Sequence, residues 1–373
     1  MNVVIWGAGK FGQYVETHLR NDKRIAVKAF VDTNKELWGT KIEGIEVISP
    51  TTLYKLEKID AILVAFYNSM FFYEEIINNR NYKYGFILNR VWQQRLYLKY
   101  NLLEDENIVW NDADYIKNMP IIKKLETHIV DYCNLNCRGC SHFSNLYHYG
   151  EQIPFEIYCR DLEQVAKNAF VVNFNMLGGE ALLNKQIAEY MEYARKLMPY
   201  TDIQLISNGL LILKQTESFF ESCRKNDIMI SISGYQPTLK IRNEIEDILK
   251  KNDITYVFRS NVMDFGKNID LTGSVDKYEA MKRCREHTCH FLRYGKIYKC
   301  PFEALGNRFF GHFNIDICLN GGSDIYTEGL NWTELIKRLD YHPVEACKYC
   351  GEEERIEWKV THTPVIEDWV VKQ

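Results

Sequence analysis

The sequence predicts an α/β protein with two parallel sheets in succession, and three observations carry that reading. Short apolar runs alternate with stretches whose apolar residues recur at helical spacing. Glycine-rich turns close apolar runs in both halves, Gly7-Ala8-Gly9-Lys10-Phe11-Gly12 in the first and Gly178-Gly179-Glu180 in the second. Between them Asn107 to Pro120 mixes Asn, Asp and Pro with scattered aromatics and reads as a connector. The expected boundaries are a doubly wound sheet over 1–105, a second α/β domain over 121–280, and a cysteine-bearing extension over 281–373.

In the first half, Val3 to Trp6 is a strand and the following helix runs through about Leu19. Gly-x-Gly-x-x-Gly in that strand–turn–helix setting allows a tight turn and close approach of a phosphate to a helix N-terminus. A second strand, Val27 to Val31, ends at Asp32, about twenty residues beyond Gly12, where an acidic side chain binds a ribose hydroxyl. Ala61 to Phe66 and Phe86 to Leu88 are further buried strands, with a helix around Met70 to Asn79. Trp92 to Leu103 is expected to close the domain as a helix.

The second half starts near Ile121. A helix begins near Phe155, with Leu162, Val165, Ala166 and Ala169 on one face, and the next carries Ile187, Tyr190, Met191, Ala194 and Leu197. Val171 to Leu177, Ile203 to Ile206, Ile228 to Ile232 and Ile254 to Phe258 are the strands, and Leu239 to Lys251 is a third amphipathic helix. This alternation implies a parallel sheet.

Composition bounds the function. The 373 residues are 46% hydrophobic and 26% charged, which suits two or three globular domains. A net charge of −4 gives no electrostatic case for a nucleic-acid or membrane partner. No apolar run is long enough for a transmembrane helix. The first residues run straight into the glycine motif, so no signal peptide is expected. Eleven cysteines then point to a reducing cytoplasm, where thiols serve metals or catalysis. The 24 Tyr and 19 Phe are expected mostly in packing.

The chemistry is concentrated in Cys133-Asn134-Leu135-Asn136-Cys137-Arg138-Gly139-Cys140, directly after the apolar run Thr127 to Tyr132. Four thiolates normally complete a four-iron cluster; three leave one iron open for chemistry. Two other readings stand beside it: a zinc knuckle using Cys137, Cys140 and His142, and unliganded core thiols.

The loop resembles the signature of the radical S-adenosylmethionine (SAM) enzymes. That resemblance implies an incomplete (β/α)6 barrel and a [4Fe-4S] cluster on Cys133, Cys137 and Cys140 whose open iron chelates SAM. It implies that Gly178, Gly179 and Glu180 position the SAM amino group, that Ser207 and Asn208 contact its ribose, and that Ser233, before Gly234, supplies a further polar contact. The family has an aromatic residue before the third cysteine; here it is Gly139, and Phe143 is the residue expected to substitute.

Downstream, Cys284 and Cys300 flank an expected hairpin over Arg293 to Tyr298 that turns at Tyr294-Gly295-Lys296; Cys347-Lys348-Tyr349-Cys350 follows. This is similar to the twitch form of the SPASM/twitch extensions, which implies one auxiliary [4Fe-4S] cluster on Cys284, Cys300, Cys347 and Cys350. Cys289 is the first substitute, and a zinc site is the alternative. Cys159, Cys223 and Cys318 lie outside both sets. One of these, or Cys289, is the candidate thiol for returning a hydrogen atom in an epimerisation. Of His128, His142, His148, His287, His290 and His312, His142 and His148 are expected nearest to substrate or SAM.

The first hundred residues resemble the Rossmann-like N-terminal domains of bacterial sugar-modifying acyltransferases and related surface-glycan enzymes. The resemblance rests on Trp6-Gly7-Ala8-Gly9, Phe30-Val31-Asp32 and Gly39 to Pro50. It implies a sugar nucleotide held by Gly7, Gly9, Gly12 and Asp32. The expectation is therefore a cytoplasmic radical SAM oxidoreductase or epimerase acting on a carbohydrate or sugar nucleotide, reduced by a flavodoxin or ferredoxin. A ribosomal peptide substrate and a non-catalytic iron–sulfur electron carrier are the alternatives.

Overall fold

A computed structural model describes residues 2–20, 23, 25–53, 55–59, 61–65, 84–87, 119–199, 201–285 and 288–371. The chain divides into two compact units, Met1–Met119 and Pro120–Gln373. The expected helices at Met70 to Asn79 and Trp92 to Leu103, with the ends at Phe66 and Leu88, fall outside the described residues.

In the first unit the strands are β1 (Asn2–Trp6), β2 (Ala26–Val31), β3 (Lys41–Ile42), β4 (Ile45–Ile48), β5 (Ala61–Val64) and β6 (Tyr84–Ile87). They form one sheet in the order β3-β4-β2-β1-β5-β6, parallel except for the β3–β4 hairpin. Helix α1 (Lys10–Leu19) returns from β1, and the short α2 (Pro50–Leu53) follows β4. Strand alternation sends Val3 and Ile5 to one face, against Val15 and Leu19 of α1. Val4 and Trp6 go to the other, against Ile48, Leu53 and Ile59. Both faces are covered, as a parallel sheet requires. The strand order reverses direction between β1 and β5, and the glycine loop leaves the sheet there, at the topological switch point.

The second unit contains β7 (Ile121–Val130), β8 (Phe170–Gly178), β9 (Asp202–Ser207), β10 (Met229–Gly234) and β11 (Tyr256–Asn261), parallel and adjacent in chain order. The intervening helices are α3 (Phe155–Asn168), α4 (Ile187–Leu197), α5 (Glu217–Lys225), α6 (Gln236–Lys240) and α7 (Arg242–Lys251). The expected continuous helix from Leu239 is two helices. Ile241, outside helical geometry at φ −114° and ψ 21°, separates them.

The sixth parallel strand is not the next one in chain order. Strand β12 (Asp264–Ile269) does not extend the sheet beyond β11; it pairs antiparallel with β16 (Cys350–Glu357). Only Lys267 and Ile269 of β12 are buried, so it lacks the continuous apolar run of a central strand. The sixth parallel strand is β13 (Cys289–Arg293), buried along nearly its whole length, and it joins beside β7 at the opposite edge. With β14 (Lys296–Tyr298) it forms the expected hairpin, and β15 (Ser323–Asp324) completes the sheet. Tyr294 and Gly295 have φ of 46° and 74°, the paired left-handed geometry of a two-residue hairpin turn. Through β13 the residues beyond 280 are built into the same unit as the sheet. Helices α8 (Lys277–Arg283), α9 (Pro301–His312) and α10 (Trp332–Tyr341) complete it.

Candidate functional site

The carboxyl ends of β7 to β10 open into a cavity of about 440 Å³. Cys133, Cys137 and Cys140 line it from the loop after β7, and Cys284, Cys300 and Cys350 line it too. Asn136 and Gly139, both at positive φ, bend the loop so that its three thiols share this wall. Among the described residues no three Cys, His, Asp or Glu side chains close up on one ion. Three thiols of one short loop on a shared cavity lining fit the donor set of an iron–sulfur cluster with one open iron.

Burial controls the chemistry of these thiols. It pushes Cys133 up to about 12, with the Glu180 charge adding to the effect, and raises Cys137 strongly. In the second set burial pushes Cys300 up to about 12 and raises Cys347 and Cys350. Cys284 acts on each of these three, and Cys347 acts on Cys300 and Cys350, which puts the four in one neighbourhood. Several buried thiolates need metal charge beside them to be ionised together. Cys289 stands apart: it lies in β13, registered against Lys124 of β7.

The C-terminal residues clamp the first loop. Arg138 N donates to Lys359 O (2.8 Å) and Thr361 N to Asn136 O (2.9 Å). Trp358 Nε1 donates to Cys137 Sγ at 3.2 Å, and Trp369 Nε1 to Cys140 O at 2.8 Å. Arg138 pairs with Asp368 at 2.5 Å. This explains Gly139: a Cβ there would lie 2.7 Å from both Asp368 O and Ile356 Cδ1. An aromatic neighbour to Cys140 has no room. Phe143 is buried among Phe302, Phe309 and Trp369, so packing fixes it although it touches the cavity.

The Gly178-Gly179-Glu180 turn departs from expectation in a specific way. A Cβ on Gly178 would lie 1.9 Å from Val130 O, and one on Gly179 2.1 Å from Tyr132 O. Both glycines line the cavity, but the close approach they permit is to the chain entering the cysteine loop. Gly179 N donates to Val130 O (2.8 Å) and Glu180 N to Tyr132 O (3.1 Å). Glu180 is fully buried and does not line the cavity. Its carboxylate accepts from Leu182 N, Ser207 Oγ and Asn208 N at 3.0, 2.8 and 2.7 Å. Through these three donors the carboxylate holds the β8 and β9 turns together. Ser207 is engaged likewise, donating to Glu180 and accepting from Gly209 N at 2.9 Å. Asn208 reaches the loop directly, donating to Asn134 Oδ1 at 2.7 Å and to Cys133 Sγ at 3.6 Å. Ser233 lines the cavity.

The cavity lining also includes charged and hydrogen-bonding side chains: Lys124, Glu126, His142, Arg259 and Lys267. His142 ends a buried chain. Its Nδ1 lies 2.8 Å from His128 Nε2, His128 Nδ1 lies 2.9 Å from Asp131 Oδ1, and Asp131 takes a bidentate pair from Arg293 at 2.8 Å each. Desolvation lowers His128, and lowers His142 to about 4. Asp131, though burial opposes it, is held down to about 2 by His128 and Arg293. His148 is exposed and lines no part of this wall. Cys159 on α3, Cys223 on α5 and exposed Cys318 also lie off it.

Sequence reading missed Trp358, Trp369, Asp131, Arg293 and Arg259. Asp131 carried a usable signal, three residues after His128 at a strand end. The tryptophans carried none, because their partners lie more than two hundred positions away.

In the first unit, Gly7 has φ 117°, and a Cβ on Gly12 would lie 1.7 Å from Gly7 O, so both serve the turn itself. Gly9 meets nothing within 4 Å. The Asp32 carboxylate accepts from Ala8 N and Asn34 N, each at 2.8 Å, and so braces the loop from the end of β2.

Residues 127–290 match the sequence model of the Radical SAM superfamily. That match lies wholly within the second unit. The superfamily match supports SAM binding and iron–sulfur character there. Residues 1–84 match the family described as C2185-like, N-terminal. The chain is also similar to the GTP 3',8-cyclase of Clostridium acetobutylicum, 28% identical over 145 residues, which is 35% of this chain and 44% of that protein. The GTP 3',8-cyclase of Thermodesulfovibrio yellowstonii is 27% identical over 153 residues, 40% of this chain and 45% of that protein. The chain thus matches under half the length of these relatives. Among solved structures, native anSMEcpe with bound AdoMet aligns at 20% identity and TM-score 0.31, over 37% of this chain and 43% of that one. UDP-D-quinovosamine 4-dehydrogenase from Vibrio fischeri aligns at 23% identity and TM-score 0.21, over 23% of this chain and 75% of that one.

Proposed function

We propose that this chain is a radical SAM enzyme that reductively cleaves SAM and oxidises a carbohydrate or sugar nucleotide of surface-glycan biosynthesis. The observation that carries it is the meeting of Cys133, Cys137 and Cys140 on one cavity wall, flanked by Gly178, Gly179, Asn208 and Ser233. Cys133, Cys137 and Cys140 would hold the SAM-binding cluster, and Cys284, Cys300, Cys347 and Cys350 an auxiliary one. When bound, the first cluster and SAM supply the electron and the 5′-deoxyadenosyl radical that abstracts hydrogen.

The protein's own part is binding, orientation and exclusion of water. Asn208 braces Cys133, while Glu180 fixes the two turns against the loop. Lys124, Glu126, His142 and Arg259 offer a polar substrate several hydrogen-bonding and charged groups. That wall supports a hydroxyl-rich or anionic small molecule, and the curated relatives are named for a reaction on a nucleotide, GTP. Oxidation is favoured over epimerisation because, among the described residues, every cysteine lining the cavity belongs to one of the two sets. The first unit would bind a sugar nucleotide through its glycine loop, and a flavodoxin or ferredoxin would supply the electron.

Anaerobic reconstitution with iron and sulfide tests the reading. Close to eight irons per chain are expected, with 5′-deoxyadenosine released from SAM under dithionite. Replacing Cys133, Cys137 and Cys140 together by Ala should halve the iron and abolish that release. Four irons with stoichiometric zinc would overturn the auxiliary cluster; iron without SAM cleavage would leave an electron carrier. Turnover of a peptide but of no sugar nucleotide would overturn the substrate.

A further inference from the structure

Trp358 is placed where nothing in the cavity's binding chemistry requires it. It immediately follows β16, the strand that begins at Cys350. Its backbone N–H is anchored to Met263 O at 3.0 Å, and its ring stacks on Tyr235 with centroids 5.5 Å apart and planes 29° apart. The side chain is 6% exposed and packs with Leu135 and Cys137. Its indole N–H, a donor with no acceptor capacity, points at Cys137 Sγ at 3.2 Å. Lys359 and Val360, which follow it, hold the same turn through the Arg138 amide and an antiparallel bridge to Cys137. A buried tryptophan needs a partner for its N–H, and here that partner is a sulfur.

We infer that Trp358 sets the reduction potential of the cluster held by Cys133, Cys137 and Cys140, by donating its indole N–H to the Cys137 thiolate. The inference rests on the proposed function for the presence of that cluster. A donor aimed at a cluster thiolate stabilises the form with more negative charge, so it favours the reduced cluster. The step is a one-electron reduction by an external low-potential donor; no bond is made or broken and the indole proton stays on nitrogen. Because β16 starts at Cys350 and ends one residue before Trp358, a single strand links the donor to a cysteine of the second set. Trp358 is therefore a positioning residue that tunes an electron acceptor.

The test uses the full chain, reconstituted anaerobically with iron and sulfide and titrated with dithionite while the reduced cluster is followed by electron paramagnetic resonance. Trp358→Phe keeps a ring to stack on Tyr235 and removes the N–H. It should disfavour reduction of the first cluster about tenfold, equivalent to about 59 mV downward for one electron, with the auxiliary cluster unmoved. Should the variant fail to assemble its cluster, the wild-type chain labelled at the indole nitrogen alone with ¹⁵N decides the matter. Hyperfine spectra of the reduced first cluster should show a ¹⁵N coupling. An unchanged potential in a fully assembled variant, or no ¹⁵N coupling in the wild type, overturns the inference. Failure of the wild type to form a reducible cluster on the first cysteine set would instead overturn the proposed function beneath it.

Discussion

Two glycine turns follow parallel strands in this molecule, one after β1 and one after β8, and the same residue type serves opposite purposes in them. In the second unit the missing side chains of Gly178 and Gly179 make room for the protein's own backbone at Val130 and Tyr132. In the first unit Gly12 does likewise against Gly7, but Gly9 faces open space. The acidic partners differ in the same sense. Glu180 is fully buried on three internal donors, whereas Asp32 is part-buried and braces its loop through two backbone amides. A glycine motif therefore reports a close approach without saying whether ligand or chain makes it.

Gly179→Ala should break the comparison most severely. Its Cβ would fall 2.1 Å from Tyr132 O and 2.3 Å from the Tyr132 carbonyl carbon, neither of which belongs to a flexible side chain. The cysteine loop must shift, at a cost on the order of 3 kcal/mol. Loss of iron from the first set, with the second retained, is the expected result by metal analysis. Full iron at both sets would show that the loop tolerates displacement.

Glu180→Gln comes next. The carboxylate sits on three donors, and hydrogen bonds to a charged group contribute about 1.5–3 kcal/mol each before coupling is considered. Burial raises its proton affinity, and the amides of Asn208 and Leu182 with the Ser207 hydroxyl oppose that shift. Gln keeps an acceptor oxygen but sets an NH₂ against an N–H or hydroxyl donor. A loss of about 2 kcal/mol in denaturant unfolding of the second unit is expected, with cluster content largely preserved. Weakened SAM binding without any loss of stability would instead restore the carboxylate to the cofactor.

These cases show what the sequence could and could not reveal. The strands and amphipathic helices were legible because their periodicity is local: Leu162 and Val165, or Ile187, Tyr190 and Ala194, are buried as their spacing requires. The first cysteine loop was legible for the same reason, since its three thiols lie within one turn-rich segment. The place of β13 beside β7 was not, because those strands are far apart in the chain and β12, which comes between them, pairs with β16 instead. Nor was the fit of Gly139 against Asp368, or of Trp358 against Cys137. Such contacts leave no local pattern.

The smallest effect on stability, and the sharpest test of the comparison, is expected at Gly9. Its backbone has φ −71° and ψ −175°, a conformation open to any residue, and an added Cβ meets nothing within 4 Å. Gly9→Val should therefore change unfolding of the first unit by no more than about 1 kcal/mol, the cost of a poorer residue before α1 offset by a less flexible unfolded chain. Gly12→Ala, by contrast, drives a Cβ to 1.7 Å from Gly7 O and should destabilise the unit outright. If the loop cradles the phosphates of a sugar nucleotide, Gly9→Val blocks the approach of the ligand alone. Calorimetry of the full chain with a uridine- or cytidine-linked sugar should then show binding in the wild type and at least a tenfold loss in the variant. Release of 5′-deoxyadenosine from SAM should be unchanged, since the cysteine cavity belongs wholly to the second unit. Equal binding by both proteins would mean that the open space beside Gly9 is solvent, and that this glycine, like the pair after β8, serves only the chain.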